Sequence, residues 1–529
     1  MQRALSRLSS ETFDCLIVGG GATGCFVARD AARRGLAVAL AEADDFAAAT
    51  SAHNSRLAHG GLRYLRNLEI GLVRESLRER ATLLKIAPHL VRPLPFLLPL
   101  YDGLRERLML AAGLTLYDLL AGTSLPRHRW IGRGAALTRA PVLENQGARL
   151  RGAFEYHDAQ MYSPERIALE NLIDADAHGA AIANHLACES LRLVNGKMEG
   201  AMVRDTLSGQ SFAIKARAVV IAAGPWADLF LEKITGKKAA HPLIRSKGIH
   251  LMVPKVSGDA LAIAAGQSHL FALPWRGHTL LATTDTPFTG DPASVAVEDS
   301  DITLLLDAFR RYLPGAHLTR DHIQASYAGL RPLVADGKGD GTYNVSRRAA
   351  LIDHTSEGLD GVFSALGGKW TTSRALAQQV TDALAAKLDK KTERCTTASV
   401  PLPGGRFDDF DQMLRGFNKT WPGIAALRPM AHMLGARLPA ALKGARLTDL
   451  APFNESGDTP AQITFALDQE MALTLEDMVL RRTGIGLFGP PAPAIVDRIA
   501  TQMAARLGWN EDHKARQIEN LAARYRGAS

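Results

Sequence analysis

Asp14-Cys15-Leu16-Ile17-Val18-Gly19-Gly20-Gly21-Ala22-Thr23-Gly24 runs from an apolar segment straight into a cluster of glycines, and this junction decides the architecture. A short apolar run that stops at glycine reads as a parallel strand buried on both faces. Gly19, Gly21 and Gly24 stand at G-x-G-x-x-G spacing. A helix through Ala28, Ala31 and Ala32 is predicted next, closed by Arg34-Gly35. A second strand, Leu36 to Ala41, then ends on Glu42. Each part has a mechanical reason. Gly19 permits the tight turn, Gly21 lets backbone N–H groups approach a pyrophosphate, and Gly24 lets helix and strand pack closely. The helix N-terminus presents unpaired N–H groups and a positive dipole end to phosphates. Glu42 can accept hydrogen bonds from ribose hydroxyls. Strand, glycines, helix, strand and acid in this order predict a dinucleotide site; the pattern alone does not separate FAD from NAD.

Working outward, 529 residues exceed one ordinary core, so two or three lobes are expected. Hydrophobic content of 47% and charged content of 22% are those of a globular enzyme and argue against disorder. The formal net charge of +8 is a mild excess that suits anionic partners, while most of these charges read as a solvated surface. No zinc spacing, long basic run or aromatic stripe points to nucleic acid, so none is expected as a partner. Cys15, Cys25, Cys188 and Cys395 are far apart and form no CxxC pair; neither a metal site nor a disulfide framework is expected, and a reducing compartment fits. No signal peptide and no apolar stretch of spanning length is visible, so membrane contact is expected to be peripheral.

Further motifs carry a family resemblance. They are Ala49-Thr50-Ser51, Ser55-Arg56-Leu57-Ala58-His59-Gly60-Gly61-Leu62-Arg63-Tyr64-Leu65, Val219-Val220-Ile221-Ala222-Ala223-Gly224-Pro225-Trp226, Lys247-Gly248-Ile249-His250, Tyr327-Ala328-Gly329-Leu330-Arg331-Pro332-Leu333 and Gly367-Gly368-Lys369-Trp370-Thr371-Thr372. In this order they resemble the FAD-dependent, respiratory-type glycerol-3-phosphate dehydrogenases, over about residues 13–405. A thinner likeness continues to Leu475-Glu476-Asp477-Met478-Val479-Leu480-Arg481-Arg482-Thr483. Two positions depart from the family pattern: Phe26 stands where a glycine is usual, and Ser373-Arg374 where Tyr precedes Arg.

The resemblance implies FAD as cofactor, held by Gly19, Gly21, Gly24, Glu42, Thr50, Ser51, Gly224, Gly367 and Gly368. It implies oxidation of sn-glycerol 3-phosphate to dihydroxyacetone phosphate, with electrons passed to a quinone. An oxidase using oxygen, or a non-catalytic FAD-binding scaffold, are the alternatives. Oxidising a secondary alcohol needs a hydride acceptor, a base and a clamp on the substrate. A phosphate ester calls for Arg or Lys as clamp, and Arg331, Lys369, Arg63 and Arg347 fall on family-like positions. Pro332 suggests that Arg331 sits on a rigid loop. His59 and His250 are both candidate bases, His59 preferred on its His-Gly-Gly turn, with His250 able instead to hold a substrate oxygen. Lys369 or Arg331 could also lower the alcohol's pKa electrostatically.

The expected fold is α/β. A Rossmann-type lobe, like glutathione reductase or D-amino-acid oxidase, is built from about 13–90, 155–240 and 340–390. A substrate lobe on an antiparallel sheet takes about 91–154 and 241–339; together these form an oxidoreductase domain over 1–400. After the Pro401-Leu402-Pro403-Gly404-Gly405 linker, 401–529 is expected to be helical. Leu94 to Leu100 and Leu108 to Leu114 are unusually apolar, with Arg105 and Arg107 between them; they read as an interfacial segment or a buried core helix. The resemblance favours a peripheral site on the cytoplasmic face of the inner or plasma membrane, and a homodimer is left open.

Overall fold

The computed structural model describes residues 1–66, 68–101, 103–144, 149–265, 268–334 and 348–526. Thr12–Val18 is the opening strand, and it forms the centre of a sheet. Ser211–Ile221 pairs with it in parallel on one side and Val38–Ala41 on the other. Val362–Gly367 and Ala181–Ala183 extend the parallel sheet outward. Chain order therefore reverses at Thr12–Val18. That is the switch point where an α/β sheet opens a crevice beyond its strand ends. Its side chains divide by the period of two: Cys15 and Ile17 join the core under the helices, while Leu16 and Val18 join the core on the other face.

Three helices cover the first face: Ala22–Arg33, Pro164–Ala177 and Ser373–Lys387. Arg29 and Asp174 pair at 2.7 Å with no exposure, joining the first two. Phe26, at a position where the family usually has glycine, is buried and packs edge-on against Trp370 at 5.8 Å. The extra ring fills space between the helix and the Trp370 turn.

A second sheet faces the crevice. Leu243–Pro254 lies between Ala325–Val334 and His278–Ala282, antiparallel to both. The sheet continues through Ser268–Trp275, Ala260–Ala265, Val91–Leu100 and Gly152–Met161. It is antiparallel except where Ala260 and Leu261 meet Phe96 and Leu97 in parallel. The sheet also takes in Leu57–Ala58, and Gly152–Met161 carries it past residue 154, so it reaches beyond the expected stretches.

Two local expectations need correction. Val91–Leu100 is a strand, neither an interfacial segment nor a helix; only Leu104–Ala121 is helical. Pro93, Pro95 and Pro99 share one parity, so their missing N–H groups all face the edge away from Gly152–Met161. Arg331 lies within strand Ala325–Val334, where Pro332 is tolerated because, among the described residues, the strand pairs on one side only. Gly367-Gly368 ends a strand and leads through a short turn at Trp370–Thr372 before the helix starts at Ser373.

From Phe410 onward the described chain is helical, with cores around Met430 and Met478. A buried charge cluster ties this part to the first sheet. Asp45 accepts two hydrogen bonds from Arg482, at 2.7 Å each, and one from Arg481 at 2.6 Å. His185 meets Asp477 at 3.0 Å. The two acids and the imidazole resemble a metal cage in spacing, but two guanidiniums already neutralise the carboxylates and would repel a cation.

Candidate active site: a dinucleotide cradle joined to a cationic cleft

A cleft of about 2200 Å³ runs between the two sheets. Gly19, Gly21, Glu42, Thr50, Ser51, Gly224, Gly367, Gly368, His59, Arg63, Arg331 and Lys369 all line it. Gly24 and His250 do not, and Arg347 lies outside the described residues.

The glycines separate into two mechanical classes. A Cβ on Gly24 would lie 1.9 Å from the Gly19 carbonyl oxygen, so Gly24 is fixed by helix–strand packing. Gly19, at φ +109°, would place a Cβ 2.6 Å from the Ala222 oxygen. A Cβ on Gly21 would meet only Ser51 Oγ, at 3.2 Å, and it points toward the open cleft. Ala22 N–H, in the first helical turn, donates to Ser51 Oγ at 2.8 Å. Thr50 Oγ1 donates to the Leu330 carbonyl at 2.7 Å, which ties the loop to the second sheet. Glu42 accepts from Gly20 N–H at 2.5 Å and Asp44 N–H at 2.9 Å. Burial outweighs these bonds and pushes its carboxyl up to about 7. Open glycine, helix N-terminus and terminal carboxylate together fit a dinucleotide, with the pyrophosphate at Gly21 and a ribose at Glu42.

Three cations line the cleft from different elements: Arg331 from the second sheet, Lys369 from the end of a first-sheet strand and Arg63 from helix Arg63–Arg66. Arg331 donates to Ser246 Oγ at 3.0 Å, Thr283 Oγ1 at 3.0 Å and the Thr284 carbonyl at 3.1 Å. Gly248 gives it room, since a Cβ there would lie 2.3 Å from the guanidinium. Lys369 donates to Ser76 Oγ and lies 4.6 Å from the Tyr64 ring centroid. Burial, then the nearby Arg63 charge, hold its ammonium pKa below the ordinary value, partly offset by Tyr64, Asp158 and Glu75. Arg63 lies over the same ring, at 4.9 Å.

His59 lies beside Lys369 and Arg63. Burial, then Lys369, Arg63 and Arg80, push its imidazole down to about 3, so it is neutral near pH 7. Its turn is pinned: Gly60 N–H donates to Asp158, which also accepts from Arg80 and Tyr117. A Cβ on Gly60 would lie 2.3 Å from Leu77 and 2.4 Å from the Tyr117 hydroxyl. The turn is therefore held on two sides. His250 sits one layer back, its Nε2 2.9 Å from Ser55 Oγ and its ring stacked on Tyr327 at 4.8 Å.

Sequence reading missed the support. Ser76, Glu79 and Arg80 lie on helix Ile70–Ile86, and Asp158 and Tyr117 on two further elements. Their only local signal is the i, i+3, i+4 spacing of three polar residues on one face. Arg374, next to the Ser373 departure, is held by Glu79 through two hydrogen bonds of 2.6 and 2.8 Å.

A dinucleotide cradle opening onto histidine and three cations defines a flavin-type oxidoreductase. The chain matches the family described as FAD dependent oxidoreductase over residues 14–383, and the C-terminal domain of alpha-glycerophosphate oxidase over 395–514. It is 34% identical to the glycerol-3-phosphate dehydrogenase of Synechocystis, covering 98% of this chain and 97% of that one. It is 32% identical to the human mitochondrial glycerol-3-phosphate dehydrogenase, covering 97% and 73% respectively. The solved glycerol-3-phosphate dehydrogenase of Bacillus halodurans, complexed with FAD, superposes with a TM-score of 0.79 at 28% identity, covering 99% of this chain and 97% of that one. The chain belongs to the FAD-dependent glycerol-3-phosphate dehydrogenase family.

Proposed function

We propose that the protein oxidises sn-glycerol 3-phosphate to dihydroxyacetone phosphate at a membrane surface and delivers the electrons to a quinone. The observation that carries the reading is the placing of Arg63 and Lys369 beside neutral His59, in the same cleft that Arg331 and the glycine cradle line. FAD, when bound, supplies the hydride acceptor. Arg331, braced by Ser246, Thr283 and Thr284, orients the phosphate. Lys369 and Arg63 balance its charge. We assign proton acceptance to His59, which lines the cleft beside Lys369 and Arg63, whereas the Nε2 of His250 is engaged with Ser55 Oγ. A phosphate dianion beside His59 offsets the cations that depress it, so substrate binding raises its basicity where the C2 hydroxyl must lose a proton.

The membrane reading rests on helix Leu104–Ala121. Leu104 and Leu119 are 69% and 71% exposed, and Leu108 and Met109 are exposed beside Arg105 and Arg107. Among the described residues no helix is long and apolar enough to cross a membrane. Exposed apolar and basic side chains on one helix fit an anionic lipid surface on the cytoplasmic face. The same helix contributes Met109, Leu110 and Leu116 to the cleft wall, which gives an apolar electron acceptor a path from lipid to flavin.

Anaerobic addition of glycerol 3-phosphate to the FAD-loaded protein should bleach the flavin band, and a soluble quinone should restore it. An unbleached spectrum refutes the substrate. Reoxidation by oxygen as fast as by quinone refutes the acceptor.

A further inference from the structure

Ser76 is fully buried on helix Ile70–Ile86, and its hydroxyl donates to the Leu72 carbonyl at 2.6 Å. A hydroxyl carries one proton, and here that proton is spent. The remaining lone pairs of Ser76 Oγ are therefore acceptors only, and Lys369 Nζ donates to them. Lys369 is thus fixed at its tip from one side by Ser76 and from another by the Tyr64 ring at 4.6 Å. Its remaining donor capacity is turned to the cleft that it lines. Gly61 closes the arrangement, since a Cβ there would come to 3.4 Å from Nζ.

Two more residues on the same helix face act in parallel. Glu79 holds Arg374, five residues beyond Lys369. Arg80 holds Asp158 at 2.8 Å, and Asp158 accepts from Gly60 N–H at 3.1 Å, next to His59. One helix thus braces both ends of the cationic site.

We propose that Ser76 is a positioning residue for the reaction: its acceptor-only oxygen fixes the Lys369 ammonium so that a donor faces the substrate's anionic end. The inference rests on the assignment of Lys369 to the substrate site. A hydroxyl bonded to the carbonyl four residues back is common in helices and by itself only fills space. The bond from Lys369 is what distinguishes Ser76 from such a residue.

The charged and titratable groups facing Lys369 are Arg63 and Tyr64 on the turn before the helix, Glu75 on the helix itself, Asp158 on strand Gly152–Met161, and His59. Removing the Ser76 acceptor destabilises the ammonium relative to the amine, so Lys369 loses its proton at lower pH.

The test uses the FAD-loaded protein, with flavin content and melting temperature recorded for every variant. Ser76→Ala should raise KM for glycerol 3-phosphate about tenfold, the size of one hydrogen bond to a charged group, with flavin content unchanged. The alkaline limb of kcat/KM should move to lower pH by about one unit. Ser76→Thr, which keeps the oxygen, should restore both. Combining Ser76→Ala with Lys369→Met should be no worse than Lys369→Met alone, because Ser76 acts through Lys369. If Lys369→Met leaves KM unchanged, the site assignment falls and the proposal with it. If Lys369→Met is impaired but Ser76→Ala keeps the wild-type KM and pH profile, the proposal alone is overturned. A loss in Ser76→Ala that is equal at all pH values and tracks a lower melting temperature marks a packing role and also overturns it.

Discussion

Gly21 and Gly24 stand three residues apart in one motif, yet the structure gives them different tasks, and single alanines should separate them. At Gly24 the added Cβ would lie 1.9 Å from the Gly19 carbonyl oxygen. Restoring an ordinary 3.4 Å contact requires the helix and the strand turn to part by roughly 1.5 Å, in an interior packed to crystal density. Overpacking of this kind costs about 1–3 kcal/mol, and backbone cannot rotate away as a side chain can. The better helix propensity of alanine returns at most about 1 kcal/mol. Gly24→Ala is therefore expected to be destabilised by about 2 kcal/mol even without cofactor. At Gly21 the backbone is at φ −72° and ψ −178°, ordinary for any residue, and the Cβ meets only a hydroxyl. Gly21→Ala should match the wild type in stability within about 0.5 kcal/mol in the FAD-free state. The methyl instead occupies the approach to the pyrophosphate, so FAD affinity should fall at least about tenfold, or about 1.4 kcal/mol. Urea unfolding of the FAD-free proteins measures the first effect, and flavin fluorescence on titration measures the second. A Gly24→Ala protein as stable as wild type, or a Gly21→Ala protein that binds FAD normally, would refute the reasoning for that glycine.

Two further perturbations address the supports around the cradle. Arg482→Met removes both hydrogen bonds of a two-pronged pair to buried Asp45 and leaves its carboxylate with the single bond from Arg481, which should cost about 3 kcal/mol, the lower end for a broken buried pair, visible as earlier urea unfolding; a wild-type curve would mean that Arg481 alone suffices. Burial pushes the Glu42 carboxyl from its ordinary value of about 4.5 up to about 7, so the folded chain holds this proton more tightly than the unfolded one. Its stabilising contribution is full below about pH 4.5 and is lost as pH rises through about 7. Glu42→Gln should flatten that part of the pH–melting curve of the FAD-free protein, and an unchanged slope would show that Glu42 is not the group responsible.

The cradle was legible in the sequence because its parts are local: glycine spacing, an apolar run and a terminal acid are all set within thirty residues. Arg331 and Lys369 were legible as residues but not as geometry. Pro332 suggests a loop, and only the one-sided pairing of strand Ala325–Val334, among the described residues, shows why proline is accepted there. The run from Leu94 to Leu100 reads as helix or interface because its leucines mask the parity of Pro93, Pro95 and Pro99. That parity has meaning only once the partner strand is known. Ser76, Glu79, Arg80 and Asp158 were not legible at all. Their roles come from contacts across up to 295 positions, as between Glu79 and Arg374, and no spacing in the sequence encodes such a contact.

The loop from Asp45 to Arg56 explains why the site is sensitive to parts of the chain that do not touch substrate. Asp45 is bound by Arg481 and Arg482 from the helical C-terminal part. Thr50 is bound to Leu330 in the second sheet, one residue before Arg331. Ser51 receives Ala22 N–H from the glycine-turn helix and, through its carbonyl, the Trp370 indole next to Lys369. Ser55 meets His250, and Arg56 meets buried Glu165 at 3.0 Å under the Trp275 ring. Ala47 and Arg56 both take positive φ, 60° and 54°, so the loop bends sharply at each end of this span. One segment therefore carries the registration between the cofactor cradle, the second sheet and the C-terminal helices. A rigid-body shift of any one of them must pass through these hydrogen bonds, and most of their partners are buried or committed to a strand. The cradle also meets the second sheet directly, since a Cβ on Gly367 would lie 3.0 Å from Val334 Cγ2 and 3.4 Å from the Pro332 oxygen, so the two sides keep the fixed relative position that hydride transfer requires.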